Sequence, residues 1–214
     1  MGPRRYFKAL FLLVLFSMFS SLKCRSLNVG TSSSLAGVST LVEFEKVDLV
    51  FLQEVRISGE QIESLLRGFR AVSNIDEEDS TRLGVALAWR QELPVHDVSN
   101  LVSCRLQIAS LGPVKLLNLY APNGSSRKQE RHLFFTEDVF PILQLNSHLS
   151  WIWSGDYNCL LQPVDIEEGK GFNSKKCPAL NNIVASTNMV DAFRTLYPCN
   201  EEFLSSRMCC IKIR

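Results

Sequence analysis

Residues 151–158 read Trp151-Ile152-Trp153-Ser154-Gly155-Asp156-Tyr157-Asn158. An aromatic and β-branched run stopped by glycine is the pattern of a strand buried on both faces, and this one runs out onto a carboxylate and an amide. The same pattern occurs three more times. Arg25-Ser26-Leu27 leads into Asn28, and Val47-Asp48-Leu49-Val50-Phe51-Leu52-Gln53 leads into Glu54. Val114 to Leu119 leads into Tyr120, followed by Ala121-Pro122-Asn123. Gly84 to Trp89 and Leu106 to Ser110 read as further strands. Helical patterns lie between them at 32–46, 58–67, 126–145 and 176–188. The last puts Leu180, Ile183, Val184 and Thr187 on one face. The third opens on Ser125-Ser126 as a cap and contains Pro141, which is expected to kink or end it. Strands covered by helices make an α/β layered domain.

The bulk properties agree with one globular domain. The chain has 214 residues, 46% hydrophobic and 21% charged, with 23 basic against 22 acidic side chains, which excludes disorder, collagen and coiled coil. A formal charge of +1 removes the strongly basic surface that is the simplest sign of nucleic-acid binding, and leaves room for a local basic patch. The seven cysteines (Cys24, Cys104, Cys159, Cys177, Cys199, Cys209, Cys210) form no C-x-x-C pair and read as reduced thiols without a role. The acidic run Asp76-Glu77-Glu78-Asp79 reads as a solvated turn.

At the start, Arg4, Arg5 and Lys8 precede the uncharged run Ala9 to Leu22. That is the grammar of a signal peptide, too short for a membrane span and without a small-x-small cleavage site. The chain therefore divides into a hydrophobic leader at 1–22, signal-like or non-native, and a domain at 23–214.

Ligands of layered α/β folds bind outside the carboxyl ends of strands, so Asn28, Glu54, Tyr120, Asp156 and Asn158 are expected to meet in one cleft. Oxygen and amide groups without sulfur or imidazole suit Mg²⁺ or Mn²⁺, which keep waters for a phosphate. Phosphoryl chemistry follows: a carboxylate orients or deprotonates water while phenol and amide donors hold non-bridging oxygens.

The ordered set Leu27-Asn28, Leu52-Gln53-Glu54, Leu119 to Asn123 and Gly155 to Asn158 resembles the endonuclease/exonuclease/phosphatase superfamily. Within it, Tyr120-Ala121-Pro122-Asn123, then Arg131 and Phe134-Phe135, then Gly155 to Cys159 and Val190 to Pro198, resembles the apurinic-type endonuclease domain of LINE-type retrotransposons. The resemblance covers about Lys23 to Phe203. It implies a DNase I-like four-layer sandwich, with two packed mixed sheets flanked by helices, and Mg²⁺-dependent hydrolysis that nicks DNA. It matches Asn28 and Glu54 to the metal site, Tyr120 and Asn158 to the phosphate, and Asp156 to the water-orienting carboxylate. No small organic cofactor is implied, and the location is nuclear or cytoplasmic by family, secretory or membrane if the leader is a genuine signal.

Arg127, Lys128 and Arg131, just after the tyrosine motif, are the expected contacts to the DNA backbone. Family members also carry a late Asp and a terminal Ser-Asp-His. Here Phe203 to Cys210 is followed by four residues and no Asp-His pair, with Cys209 where the late Asp is expected. Asp191 falls in a structural V-D-x-x-R segment as a cap or ion-pair residue. The resulting expectation is a DNA endonuclease lacking its C-terminal catalytic strand, with impaired activity and an open sheet edge, or alternatively an inactive remnant that binds only DNA or metal.

Overall fold

The computed structural model describes residues 11–15, 19–30, 32–76, 78–79, 83–101, 104–161, 176–192, 195 and 207–212. Eleven strands among these form two mixed sheets. The first contains β1 (Phe11–Leu15), β2 (Phe19–Asn28), β3 (Leu49–Val55), β4 (Phe69–Asn74) and β5 (Gly84–Arg90), in the order β1-β2-β3-β5-β4. The second contains β6 (Val95–Leu101), β7 (Leu106–Leu111), β8 (Val114–Tyr120), β9 (Ser150–Asp156), β10 (Val190–Asp191) and β11 (Arg207–Lys212), in the order β10-β11-β9-β8-β7-β6.

Each sheet holds one parallel pair, β2 with β3 and β8 with β9, while the remaining pairs are antiparallel. A helical crossover is what a parallel pair requires. Helix α1 (Ser32–Glu45) supplies the first. The second runs through a 3-10 turn (Ser125–Arg127), α3 (Lys128–Leu133), a π-helical segment (Phe134–Val139) and α4 (Phe140–Leu145).

Alternation along the strands builds the layers. Leu49 and Phe51 of β3 join Cys24, Leu116 and Ile152 between the sheets. Val50 and Leu52 face the other way, onto Val38 and Val42 of α1 and Ile62 of α2 (Gly59–Leu65). In the second sheet Leu117, Leu119 and Trp153 turn outward onto Phe134, Phe135 and Val139, and onto Leu180 and Ile183 of α5 (Pro178–Ser186). The result is helices, sheet, sheet, helices, the four layers expected from the sequence. Period-2 burial on both faces is why these strands read as continuous apolar runs.

Side-chain contacts fix several element ends, but the expected Ser125-Ser126 cap is not among them, since neither the 3-10 turn nor α3 starts on a side-chain cap bond. Ser58 caps α2 with a capping box to Gln61, and a buried ion pair from Arg25 to Glu45 ties β2 to the end of α1. Asp76 Oδ1 accepts the backbone N–H of Glu78 and Asp79, each at 3.1 Å, so the acidic run is an Asx-type turn. Pro141 does not end its helix. The wider π segment just upstream, with the Phe140 N–H donating to Phe135 O, carries the chain into α4 with the proline in the first turn, where its missing N–H is tolerated.

The C-terminal edge differs from expectation. β11 pairs antiparallel along β9 from Arg207 opposite Asp156 to Lys212 opposite Trp151, so the flank expected to be open is covered. An unpaired row of N–H and C=O groups on a central strand recruits any extended segment that reaches it, whatever that segment's hydropathy pattern. Strand β2 also starts at Phe19 and buries Leu22, so it crosses the boundary placed at Lys23. No described helix is long and apolar enough to cross a membrane.

Candidate active site

The interlayer columns change chemistry as they approach the strand ends. Down β2 the inward positions are Leu22, Cys24, Ser26 and Asn28. Down β3 they are Leu49, Phe51 and Gln53, down β8 Leu116, Asn118 and Tyr120, and down β9 Ile152, Ser154 and Asp156. Each column starts apolar between the sheets and finishes polar at the carboxyl end, so four strands deliver polar groups to one place.

Directly beneath that place is a buried amide bridge. Gln53 Nε2 donates to Asn118 Oδ1 at 2.9 Å and Ser26 Oγ donates to Gln53 Oε1 at 3.2 Å. Asn118 Nδ2 donates to Ala86 O at 2.8 Å and Leu52 O at 3.2 Å. A satisfied buried network fixes the register of one sheet on the other, because any slip would leave these groups unpaired.

Glu54 reaches the cleft through a β-bulge. Pairing with β5 shifts register between Gln53 and Val55, and Glu54 takes φ +59°. A left-handed conformation in a non-glycine residue costs about 1 kcal/mol or more. Here the bulge turns toward the cleft a side chain that strict alternation would send to the helix layer. Asn28 Nδ2 donates to Glu54 Oε1 at 2.5 Å and lies 3.4 Å from Asp156 Oδ2. The Tyr120 hydroxyl donates to Glu54 Oε1 at 3.4 Å. Asp156 Oδ1 accepts the Asn158 N–H at 3.0 Å, and Asn158 Nδ2 donates to Ala121 O at 2.7 Å. Asn158 adopts φ +49°, a conformation asparagine tolerates better than most residues.

Burial pushes the Tyr120 hydroxyl up to about 12, helped by the carboxylates of Glu54 and Asp156. The phenol therefore stays protonated and remains a donor. Arg105 stacks its guanidinium 5.3 Å from the Tyr120 ring centroid and donates from Nη1 to Tyr120 O at 3.2 Å.

Two glycines make this geometry possible. A Cβ on Gly30 would sit 3.2 Å from Glu54 Oε2 and 3.7 Å from Asn28 Oδ1, so both oxygens face the space that a side chain would fill. That oxygen pair suits Mg²⁺ or Mn²⁺. Among the described residues no three of His, Cys, Asp and Glu gather as a metal cluster, so a cation on Glu54 and Asn28 would keep most of its waters. Gly155, at φ +152°, lets β9 approach β8 just before Asp156.

No family model matches the chain, and no curated protein matches it. Solved structures do. An AP endonuclease from Archaeoglobus fulgidus superposes with a TM-score of 0.73 at 19% identity, covering 89% of this chain and 86% of that one. An AP endonuclease from Leishmania major gives 0.68 at 16% identity, covering 89% and 79%. The fold is DNase I-like. Its cleft is where the four polar columns end, and the five residues expected there, Asn28, Glu54, Tyr120, Asp156 and Asn158, are brought together in this DNase I-like frame.

The basic residues are distributed differently from expectation. Arg131 is 3% exposed, and its Nη1 donates to Pro122 O at 2.8 Å and Gly124 O at 3.4 Å. It holds the loop after Tyr120 from inside, so it is not the surface cation that was expected. Arg127 is exposed but paired with Glu130 at 2.6 Å, and Lys128 is exposed. Tyr157, between the two polar residues of its motif, is a core anchor stacked on Phe135 at 6.3 Å, with its hydroxyl donating to Trp153 O. Asp191 is buried in β10, where its backbone carbonyl accepts from Thr195 Oγ1.

Backbone register sets Arg207 beside Asp156 and Cys209 beside Ser154, so the position adjacent to the carboxylate belongs to Arg207. Sequence reading passed over Gln53, Asn118, Gly30 and Arg105. The first two carry a usable signal, an amide at the last inward position of an otherwise apolar column. Gly30 and Arg105 have none, since their roles depend on what lies across the cleft.

Proposed function

We propose that the chain is a metal-dependent DNA endonuclease of the LINE retrotransposon type, hydrolysing a phosphodiester in the backbone of one strand. The observation that carries this reading is the convergence of Asn28, Glu54, Tyr120 and Asp156, from four strands of two sheets, within hydrogen-bond reach of one another. Asp156, its oxygens oriented by the Asn158 N–H and by Asn28, takes the proton of an attacking water. The protonated Tyr120 hydroxyl and the second amide hydrogen of Asn158 hold non-bridging phosphate oxygens. Arg105 supplies a fixed positive charge beside Tyr120. Glu54 and Asn28 would hold Mg²⁺ or Mn²⁺, which when bound neutralises charge on the phosphate. The tyrosine, double-phenylalanine and Val190 to Pro198 motifs support the LINE branch.

The three histidines do not help at this site. His96 pairs with exposed Asp97, His132 lies on α3 and His148 precedes β9. Among the described residues no imidazole stands at this site, and this favours the second reading, an inactive remnant that binds DNA or metal. A supercoiled-plasmid assay with Mg²⁺ separates the two. Under the enzyme reading, nicking is measurable and falls by about 10²-fold or more in Asp156→Asn, with the far-ultraviolet spectrum unchanged. Absent nicking, or nicking indifferent to Asp156→Asn, refutes that reading.

A further inference from the structure

Behind the cleft, on the α5 side of the second sheet, two free thiols sit together. Cys177, immediately before α5, lines a groove of about 280 Å³ whose other walls include Lys128, Arg131, His132 and Lys176. Cys159, wholly buried, follows Asn158 in sequence and packs in the same apolar cluster as Cys177. The two chain segments are pinned side by side by a β-bridge between Leu160 and Lys176.

We propose that Cys177 and Cys159 form a peroxide-oxidisable dithiol site, with Cys177 as the attacking thiolate and Cys159 as the resolving thiol. The groove gives a small oxidant a route to Cys177 and is lined by cationic side chains, the setting in which cysteines react. The two thiols are driven apart electrostatically. Cys177 is lowered to about 6, first by the hydrogen bond from Cys159, then by the backbone amides of Leu180 and Ala179 and by Arg131, against the opposing effect of burial. Cys159 is pushed well up, by burial first and then by Cys177, with Asp156 adding to the rise and Arg131 opposing it. One sulfur is a nucleophile near neutrality while its neighbour keeps its proton.

In the first step the Cys177 thiolate attacks a hydroperoxide oxygen. The S–O bond forms, the O–O bond breaks, and the leaving alkoxide or hydroxide takes a proton from water. In the second step Cys159 sulfur attacks the sulfenic acid. The S–S bond forms, the S–O bond breaks, and the hydroxyl leaves as water with the Cys159 proton. Two thiols lose two electrons, and the peroxide gains them. The disulfide ties the segment behind Asp156 and Asn158 to the head of α5.

The test uses the full reduced chain, treated with one equivalent of hydrogen peroxide, blocked with iodoacetamide and mapped by non-reducing peptide mass spectrometry. The expected main product is the Cys159–Cys177 linkage. Cys159→Ser should stop at a dimedone-trappable sulfenic acid on Cys177, and Cys177→Ser should give no linkage from Cys159. Independently of either variant, alkylation of Cys177 should level off above about pH 7. An ordinary thiol still gains roughly tenfold per pH unit until about 8.5. Oxidation of Cys24 or Cys104 ahead of Cys177, a Cys177 profile still rising at about pH 8, or sulfenic acid on Cys177 that never passes to Cys159 would each overturn the proposal.

Discussion

Replacing Gly155 by alanine probes the closest backbone contact in the site. An added Cβ would lie 2.1 Å from Leu119 O and 2.9 Å from the Leu119 carbonyl carbon and nitrogen, all backbone atoms. Relief therefore requires β9 to move about 1 Å away from β8. That displacement weakens the pairing of Tyr120 with Asp156 and the bond from Ala121 N–H to Asp156 O at 2.8 Å. One or two weakened ladder bonds at about 1 kcal/mol each, added to about 1–3 kcal/mol for an alanine held at φ +152°, give about 2–5 kcal/mol.

Gly112→Ala is the matched control, because Gly112 also has positive φ (+55°) but nothing within 4 Å of the added Cβ. It should lose only the conformational part, about 1 kcal/mol. Urea titrations followed by circular dichroism measure both. At roughly 2–4 °C per kcal/mol for a chain this size, Gly155→Ala should melt about 4–20 °C lower than the parent and Gly112→Ala about 3 °C lower. Equal losses in the two variants would refute the close-approach argument.

Other outcomes follow from the same geometry. Tyr120 holds its proton up to about 12 in the folded state, above the ordinary tyrosine value of about 10. The unfolded chain therefore releases that proton first, and stability present below about pH 10 is lost as pH rises toward 12, by up to about 2 kcal/mol. Tyr120→Phe should flatten that part of a stability–pH profile, and an unchanged slope would contradict the assignment. Lys128→Ala should leave folding intact and reduce the salt slope of DNA binding by about one, whereas Arg131→Ala should destabilise the chain because Pro122 and Gly124 carbonyls lose their donor; the opposite partition would return Arg131 to the DNA surface. Glu54→Gln should remove the rise in melting temperature produced by millimolar Mg²⁺ or Mn²⁺, and a metal response surviving in that variant would move the ion elsewhere.

Local sequence determined the strands that are buried on both faces. β3, β5, β7, β8 and β9 carry enough apolar and β-branched residues to be read directly, and α1, α2 and α5 were legible as helical patterns between them. The polar residues at strand ends were legible for the same reason, since a carboxylate stands out when an apolar run stops on it. β6 was not legible, because it lies mostly exposed on the sheet edge and shows no clean alternation. Neither was β11, which is a strand because β9 offers it a row of backbone partners.

Tertiary structure alone decided which cations stay at the surface. Arg127, Lys128 and Arg131 are of one kind in the sequence, yet helix phase sends Arg131 inward to the loop carbonyls and leaves Lys128 in water. It also decided that Glu54 turns into the cleft, through a bulge that no residue pattern announces. Likewise it set two cysteines 18 positions apart in one core cluster. Burial preference is written residue by residue, because transfer from water acts on each side chain separately. Who meets whom across a cleft depends on the packing of whole sheets, which no local stretch of chain contains.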